Sequence, residues 1–311
     1  MTTTGTGAYR FEWQDNWARI ADTESGRTNG RTHGVAVVES GETFVFHQAD
    51  PSMLVFDARG RLKASWGPNR LGAHGLTRVR ENGSEFLWIT DQSTCEVAKL
   101  TLDGQVVQRI ERPNHPVYAK AQYSPTWVAV NEERRGGNGD IWVTDGYGSF
   151  WIHRYDRKGR YLASISGEEG GAGRFQCPHG IAFDWRRGQP ELYVADRGNR
   201  RVQVYDAEGR WQRVFGADFL TSPDGFCELG DALVVPELLG RVTVLDAEDR
   251  LACRLGENEP APQIPGWPEV PVDRLEAGKF NSPHGAASDP DGNLYVVEWI
   301  VGGRITRLRK V

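Results

Sequence analysis

Short runs of alternating apolar and polar residues recur along the chain, rich in Val, Ile, Trp and Tyr. They include Thr43-Phe44-Val45-Phe46-His47, Leu87-Trp88-Ile89-Thr90-Asp91, Ile141-Trp142-Val143-Thr144-Asp145, Leu192-Tyr193-Val194-Ala195-Asp196, Leu233-Val234-Val235-Pro236-Glu237 and Leu294-Tyr295-Val296-Val297-Glu298. Period two with β-branched and aromatic residues is the pattern of half-buried antiparallel strands. No window sustains a period of 3.6, so helix is not expected. Each run is followed by a second strand that closes on an Asp- and Gly-containing turn, as in Leu54-Val55-Phe56-Asp57-Ala58-Arg59-Gly60 and Val204-Tyr205-Asp206-Ala207-Glu208-Gly209. Gly accepts positive φ there, and Asp can bond its own backbone. A further strand follows, often ending in Gly, as in Arg213-Val214-Phe215-Gly216.

The runs belong to a repeat. Four units open on a His-Gly pair: Thr32-His33-Gly34-Val35, Ala73-His74-Gly75-Leu76, Pro178-His179-Gly180-Ile181 and Pro283-His284-Gly285-Ala286. Two more open on Thr126-Trp127 and Asp224-Gly225. Six units of four strands, starting near 33, 74, 126, 179, 224 and 284, predict an all-β chain: a six-bladed β-propeller of four-stranded antiparallel blades. The even repeat argues for a single domain over 1–311, without a linker. The sixth unit runs out after Arg304-Ile305-Thr306-Arg307-Leu308, one strand short. Tyr9-Arg10-Phe11-Glu12-Trp13 has the pattern to supply the missing strand, so an N-terminal strand is expected to close the last blade and cover its edge. The longer inserts Arg112–Tyr123, Glu132–Gly139 and Glu257–Glu276 read as surface loops. Two of them lie just before an inner strand, where they would wall a pocket.

Composition narrows the function. The net charge of −5 comes without a basic patch, which disfavours nucleic acid. No apolar run approaches the ~18 residues of a membrane span. The start Met1-Thr2-Thr3-Thr4-Gly5 has neither the basic region nor the apolar core of a secretory signal. Cys95, Cys177, Cys227 and Cys253 fall at different places in their units, with no metal-ligand spacing, and read as reduced thiols of a cytoplasmic protein.

Candidate chemistry centres on the histidines, four of seven of which stand in the His-Gly pairs. In a propeller the inner strands run the same way, so residues at their starts share one rim. His74, His179 and His284 belong to alternate units, ~120° apart in a six-fold ring. Three imidazoles so placed can hold zinc, with a fourth position open for water or substrate; another divalent metal such as iron would also suit. His33 is a further ligand, a base near the metal, or plain channel lining. Asp224, Gln48, Glu237 and Glu298 occupy comparable rim or loop positions, whereas His47, His115 and His153 do not. After the second strands of units three and four come Asp145-Gly146-Tyr147 and Asp196-Arg197-Gly198-Asn199-Arg200. Tyr147 can serve as acid or base, and Arg197 can grip a carbonyl or carboxylate. Alternatively, the Asp-Arg-Gly-Asn-Arg turn laces blades together by Arg–Asp pairing.

The unit running from Pro178-His179-Gly180 through Ala195-Asp196-Arg197-Gly198-Asn199 to Val204-Tyr205 resembles an NHL repeat. The set of six resembles the peptidyl-α-hydroxyglycine α-amidating lyases, from about 33 to 308. That resemblance implies a zinc ion on three histidines and cleavage of a carbinolamide C–N bond. It matches His74, His179 and His284 to the ligands, Thr144-Asp145-Gly146-Tyr147 to the family's tyrosine stretch, and Ala195-Asp196-Arg197 to an active-site arginine. A second family arginine is replaced by Gln48 in Phe46-His47-Gln48, an Asp after the third histidine by Gly285, and the family's disulfides have no counterparts. The expected function is therefore a metal-dependent lyase acting on a carbinolamide-like or α-hydroxy small molecule or peptide. The alternatives are a propeller hydrolase or oxygenase with a four-histidine metal, and a non-catalytic NHL binding scaffold.

Overall fold

The computed structural model describes residues 2–311. It contains six antiparallel sheets, five of them meanders of strands consecutive in the chain, and they fall into two compact units of three sheets. One unit runs from Gly72 to Pro223. It holds blade 2 (Ala73–Glu81, Ser84–Asp91, Glu96–Thr101, Val106–Arg109), blade 3 (Trp127–Val130, Ile141–Thr144, Ile152–Tyr155, Tyr161–Ile165) and blade 4 (Pro178–Asp184, Glu191–Asp196, Arg201–Asp206, Trp211–Phe215). The other takes the chain up to Leu71 and from Asp224 to Val311. It holds blade 1 (Thr32–Val37, Thr43–His47, Met53–Phe56, Leu62–Trp66), blade 5 (Cys227–Leu229, Ala232–Glu237, Arg241–Leu245, Leu251–Leu255) and blade 6.

Blade 6 is built as its missing strand implied, and is larger. Phe11–Ala18 pairs with Arg304–Lys310, which continues to Leu294–Glu298 and Pro283–Ser288. Thr3–Thr4 adds a fifth strand outside Phe11–Ala18. Tyr9 lies in a 3-10 turn before the strand rather than in it. Blade 5 differs from expectation at its start: its inner strand begins at Cys227, so Asp224 precedes it. The only α-helix among the described residues is Glu24–Thr28, and no helix there is long and apolar enough to cross a membrane.

Within each unit the inner strands bury side chains against the neighbouring blade, giving apolar layers between sheets. Trp127, Trp142, Ile181, Leu192 and Val194 pack between blades 3 and 4, and Phe11, Trp13, Val234, Val244, Phe280 and Leu308 between blades 5 and 6. The outer hairpins confirm the Asp-turn reading. Asp57, Asp156 and Asp206 each accept two backbone N–H groups across the turn, with Gly60, Gly159 and Gly209 at positive φ. The Arg112–Tyr123 insert is not purely a surface loop: Tyr118 is half-buried and Tyr123 buried.

Candidate metal centre

All four His-Gly pairs sit at a slip in strand register. In blade 4, Pro178 faces Asp196 but Ile181 faces Val194; in blade 2, Ala73 faces Asp91 but Leu76 faces Ile89. The same irregularity occurs between Thr32 and Gly34 and between Pro283 and Gly285. Blade 3, without His-Gly, pairs regularly from Trp127 onward. A bulge re-aims the side chain at the strand's start, and here that side chain is the imidazole.

The Gly of the pair makes room for a carbonyl. A Cβ on Gly75 would lie 2.5 Å from the Thr126 carbonyl oxygen, and one on Gly285 would lie 2.5 Å from that of His33. The same two oxygens receive the histidines: His74 Nδ1–H donates to Thr126 O at 2.8 Å, and His284 Nδ1–H to His33 O at 3.0 Å. A carbonyl can only accept, so each bond fixes the tautomer and leaves the lone pair on Nε2. Metal-bound histidines are oriented in this way. The close approach also leaves no space at position 285 for an aspartate.

In the unit from Gly72 to Pro223, four candidate residues meet. His74 Nε2 and His179 Nε2 lie 3.1 Å apart, close to the ~3.3 Å between two tetrahedral zinc ligands at about 2.0–2.1 Å. The Tyr147 hydroxyl is 3.2 Å from His74 Nε2 and 3.0 Å from His179 Nε2. Arg197 Nη2 donates to that hydroxyl at 3.1 Å and to Cys177 Sγ at 3.2 Å. Both imidazoles are buried, while Tyr147 is 38% exposed and opens the group to solvent. Burial, reinforced by the Arg197 charge and opposed by the bond to Thr126, lowers the His74 pKa to about 3, so the ring is neutral. Two imidazole Nε2 atoms this close, the His74 one carrying its lone pair, form a donor set that fits a divalent cation of the zinc kind.

Blade 3 explains its missing histidine. Thr126 stands where the others have His, and its hydroxyl donates to His179 O at 2.8 Å while its carbonyl takes His74 Nδ1–H. It is the strut between the two histidine strands. Asp145 organises the turn that carries Tyr147, accepting from Ser124 N, Ser149 N and Ser149 Oγ at 2.6–2.7 Å. The Asp-Arg-Gly-Asn-Arg turn divides its work. Asp196 pairs with Arg201 at 2.7 Å and accepts from Asn199 and Gln176 N, lacing the blade, whereas Arg197 points at Tyr147.

In the other unit, the His33 and His284 rings meet edge-on at 4.3 Å. Asp224 is fully buried, its N–H bonded to Pro236 O. Glu237 and Glu298 are lacing carboxylates equivalent to Asp196, bound to Arg241 at 2.9 Å and Arg304 at 3.1 Å. Gln48 is buried, its N–H on Arg31 O. His47 donates Nε2–H to Pro51 O, and burial lowers its pKa to about 4. His153 is buried and His115 partly exposed. Thr126 could have been found from its alignment with the histidines; nothing in the sequence marks Tyr118 or Cys177.

Six antiparallel blades, five of them running through the chain from inner to outer strand and the sixth closed by the N-terminal strand, define the chain as a β-propeller. The solved structure of streptogramin B lyase shares this fold, with a TM-score of 0.64 over 98% of this chain and 99% of that one at 15% identity. The NHL repeat model matches residues 175–205. Human NHL repeat-containing protein 3 is 28% identical over 236 residues, 70% of this chain and 65% of its own length. A Caenorhabditis elegans protein named a probable peptidyl-alpha-hydroxyglycine alpha-amidating lyase is 34% identical over 138 residues, 43% of this chain and 37% of its own. The chain therefore carries an NHL repeat in blade 4, and its resemblance to the amidating lyases extends beyond the motifs. These alignments cover less than two thirds of either relative's length.

Proposed function

We propose that the chain is a metal-dependent lyase acting on a small molecule or peptide with a carbinolamide-like or α-hydroxy group. The observation that carries this reading is the Tyr147 hydroxyl, set within 3.2 Å of two imidazole nitrogens and of an arginine. His74 and His179 would hold a cation such as zinc through Nε2, and the resemblance to the amidating lyases adds His284 as third donor. When bound, such a cation supplies Lewis acidity that makes a substrate hydroxyl easier to deprotonate. The Arg197 guanidinium beside Tyr147 favours its phenolate, which takes that hydroxyl's proton and becomes the phenol. As the carbonyl forms and the C–N bond breaks, Tyr147 returns the proton to the leaving nitrogen. Gln48, where the resemblance places a second arginine, favours a substrate with no second anionic group to be gripped.

The test combines metal analysis with turnover of a peptidyl-α-hydroxyglycine, read as glyoxylate release. The wild-type chain should hold about one equivalent of metal. His74→Ala and His179→Ala should lose metal and activity together. Tyr147→Phe should keep the metal and lose roughly 10²–10⁴-fold in rate. Full metal stoichiometry in both histidine variants refutes the assignment. A metal-free binding scaffold is the second reading, favoured by the longer match to NHL repeat-containing protein 3. A wild-type chain that takes up no metal would select it.

A further inference from the structure

Blade 3 departs from blades 4, 5 and 6 at the acid that ends its second strand. In blades 4, 5 and 6 this acid is paired with an arginine of the next strand: Asp196 with Arg201, Glu237 with Arg241, Glu298 with Arg304. In blade 3 the acid is Asp145, and a chain of neutral groups stands in for the cation. Tyr118 O–H donates to Asp145 Oδ2 at 2.8 Å. His153 Nε2 meets the Tyr118 oxygen at 2.6 Å, and His153 Nδ1 meets Ser164 Oγ at 2.7 Å. Tyr161 O–H lies 2.8 Å from the same Ser164 oxygen. Because Asp145 can only accept, the proton directions follow one way along the chain. Tyr118 gives its proton to Asp145, so His153 must donate from Nε2, and Ser164 must donate to Nδ1. This tautomer is opposite to that of His74 and His284.

His153 occupies the strand position of Gln203 in blade 4, judged by their pairing with Val143 and Val194. Gln203 reaches Asp196 directly at 3.3 Å. His153 reaches Asp145 only through Tyr118, which comes from the Arg112–Tyr123 insert. The other oxygen bonds of Asp145 run to Ser124 and to Ser149, two residues beyond Tyr147, and Tyr147 N–H itself bonds Ser124 O at 3.3 Å.

We propose that Tyr118 and His153 are positioning residues that hold Asp145, and through its turn place the Tyr147 phenol on the paired imidazoles. The proposal rests on the reading of Tyr147 as the group facing the bound cation, but its structural content can be tested without metal. Burial and the neighbouring Asp145 push the Tyr118 pKa above its ordinary range, so the phenol remains a donor. Burial lowers that of His153 to about 3, so the ring stays neutral.

The experiment uses the full chain with a fluorotyrosine at position 147, observed by fluorine NMR. The otherwise wild-type protein should give one narrow line displaced from that of the free amino acid. Tyr118→Phe, which keeps the ring and removes the hydroxyl, should broaden the line and move it toward the free value. His153→Leu should do the same, and His153→Gln, which restores a donor toward Tyr118, should recover the wild-type line. Melting curves run alongside identify any variant that is merely unfolded, and the Leu/Gln pair decides the matter if Tyr118→Phe does not fold. An unchanged line in Tyr118→Phe and His153→Leu overturns the proposal. Zinc is added last. If it leaves the wild-type line unmoved, the metal reading fails, while the positioning claim has already been decided by the metal-free spectra.

Discussion

Replacing Trp13 by Ala tests how blade 6 is completed. Trp13 is 5% exposed, pairs with Leu308 in the sheet, and packs at a tilt against Phe280 with ring centroids 4.6 Å apart. The Arg304 guanidinium lies 5.4 Å over its ring. Truncating a buried tryptophan costs about 3–5 kcal/mol, because the site cannot collapse fully around the void. At ~2.1 cal/mol/K per residue, the chain's 311 residues give a melting entropy of about 0.65 kcal/mol/K. The melting temperature should therefore fall by about 5–8 °C. Leu62→Ala, on the exposed outer strand of blade 1, serves as control and should change it by less than about 1 °C. Scanning calorimetry reads both. Equal shifts for the two variants, or a Trp13→Ala shift within 1 °C of zero, would show that the N-terminal strand contributes nothing to the sixth sheet in solution. Deleting the chain through Ala18 should act more strongly. It also removes Phe11, and it takes Asp15, 2.6 Å from fully buried Arg304, leaving Glu298 as that arginine's remaining acid.

Other consequences are open to measurement. Gly285→Ala places a methyl 2.5 Å from a backbone oxygen, so it should lose about 1–3 kcal/mol in denaturant melts; an unaffected midpoint would rule out the close approach. Thr126→Val keeps shape but removes the hydroxyl that holds His179 O, and should weaken zinc binding in a chelator competition more than it lowers stability; equal binding would remove Thr126 from the site's support. His47, with its pKa lowered to about 4 by burial, stays neutral in the folded chain while the unfolded chain takes up a proton below about 6.5. Stability should then fall with pH through the window from 6.5 to 4, losing about 2 kcal/mol from this residue by pH 5, and His47→Gln should flatten that part of the profile. Urea melts at pH 7 and 5 that differ equally in both proteins would contradict this.

Much of the fold was legible because the features that build it are local. Alternation gives strands, Asp- and Gly-bearing turns join them, and a short count of strands in the last unit points to the first residues of the chain. The larger sheet six and the late start of blade 5 were not legible. Thr3–Thr4 is too short to carry a period, and Asp224 matches the histidines in alignment while preceding the strand. The candidate site was legible to the extent that it repeats. His74, His179, Tyr147 and Arg197 each follow a recurring signature, and the structure brings these four together.

What the residue types could not resolve was which member of a recurring turn does which work. An acid at the end of a second strand looks the same whether it laces a blade or faces a ligand. Asp196, Glu237 and Glu298 each lie against a buried or half-buried arginine, and an ion pair so enclosed costs several kcal/mol to break from one side. Those carboxylates are thereby committed to structure. Arg197, one residue beyond Asp196, stands outside that pairing, since the Asp196 carboxylate lies against Arg201. Its guanidinium reaches Tyr147 and Cys177. Within this one turn, Arg201 laces the blade and Arg197 serves the site. The same logic predicts that Asp196→Asn, by loosening Arg201, should disturb Arg197 as well as stability, whereas Glu237→Gln should disturb stability alone.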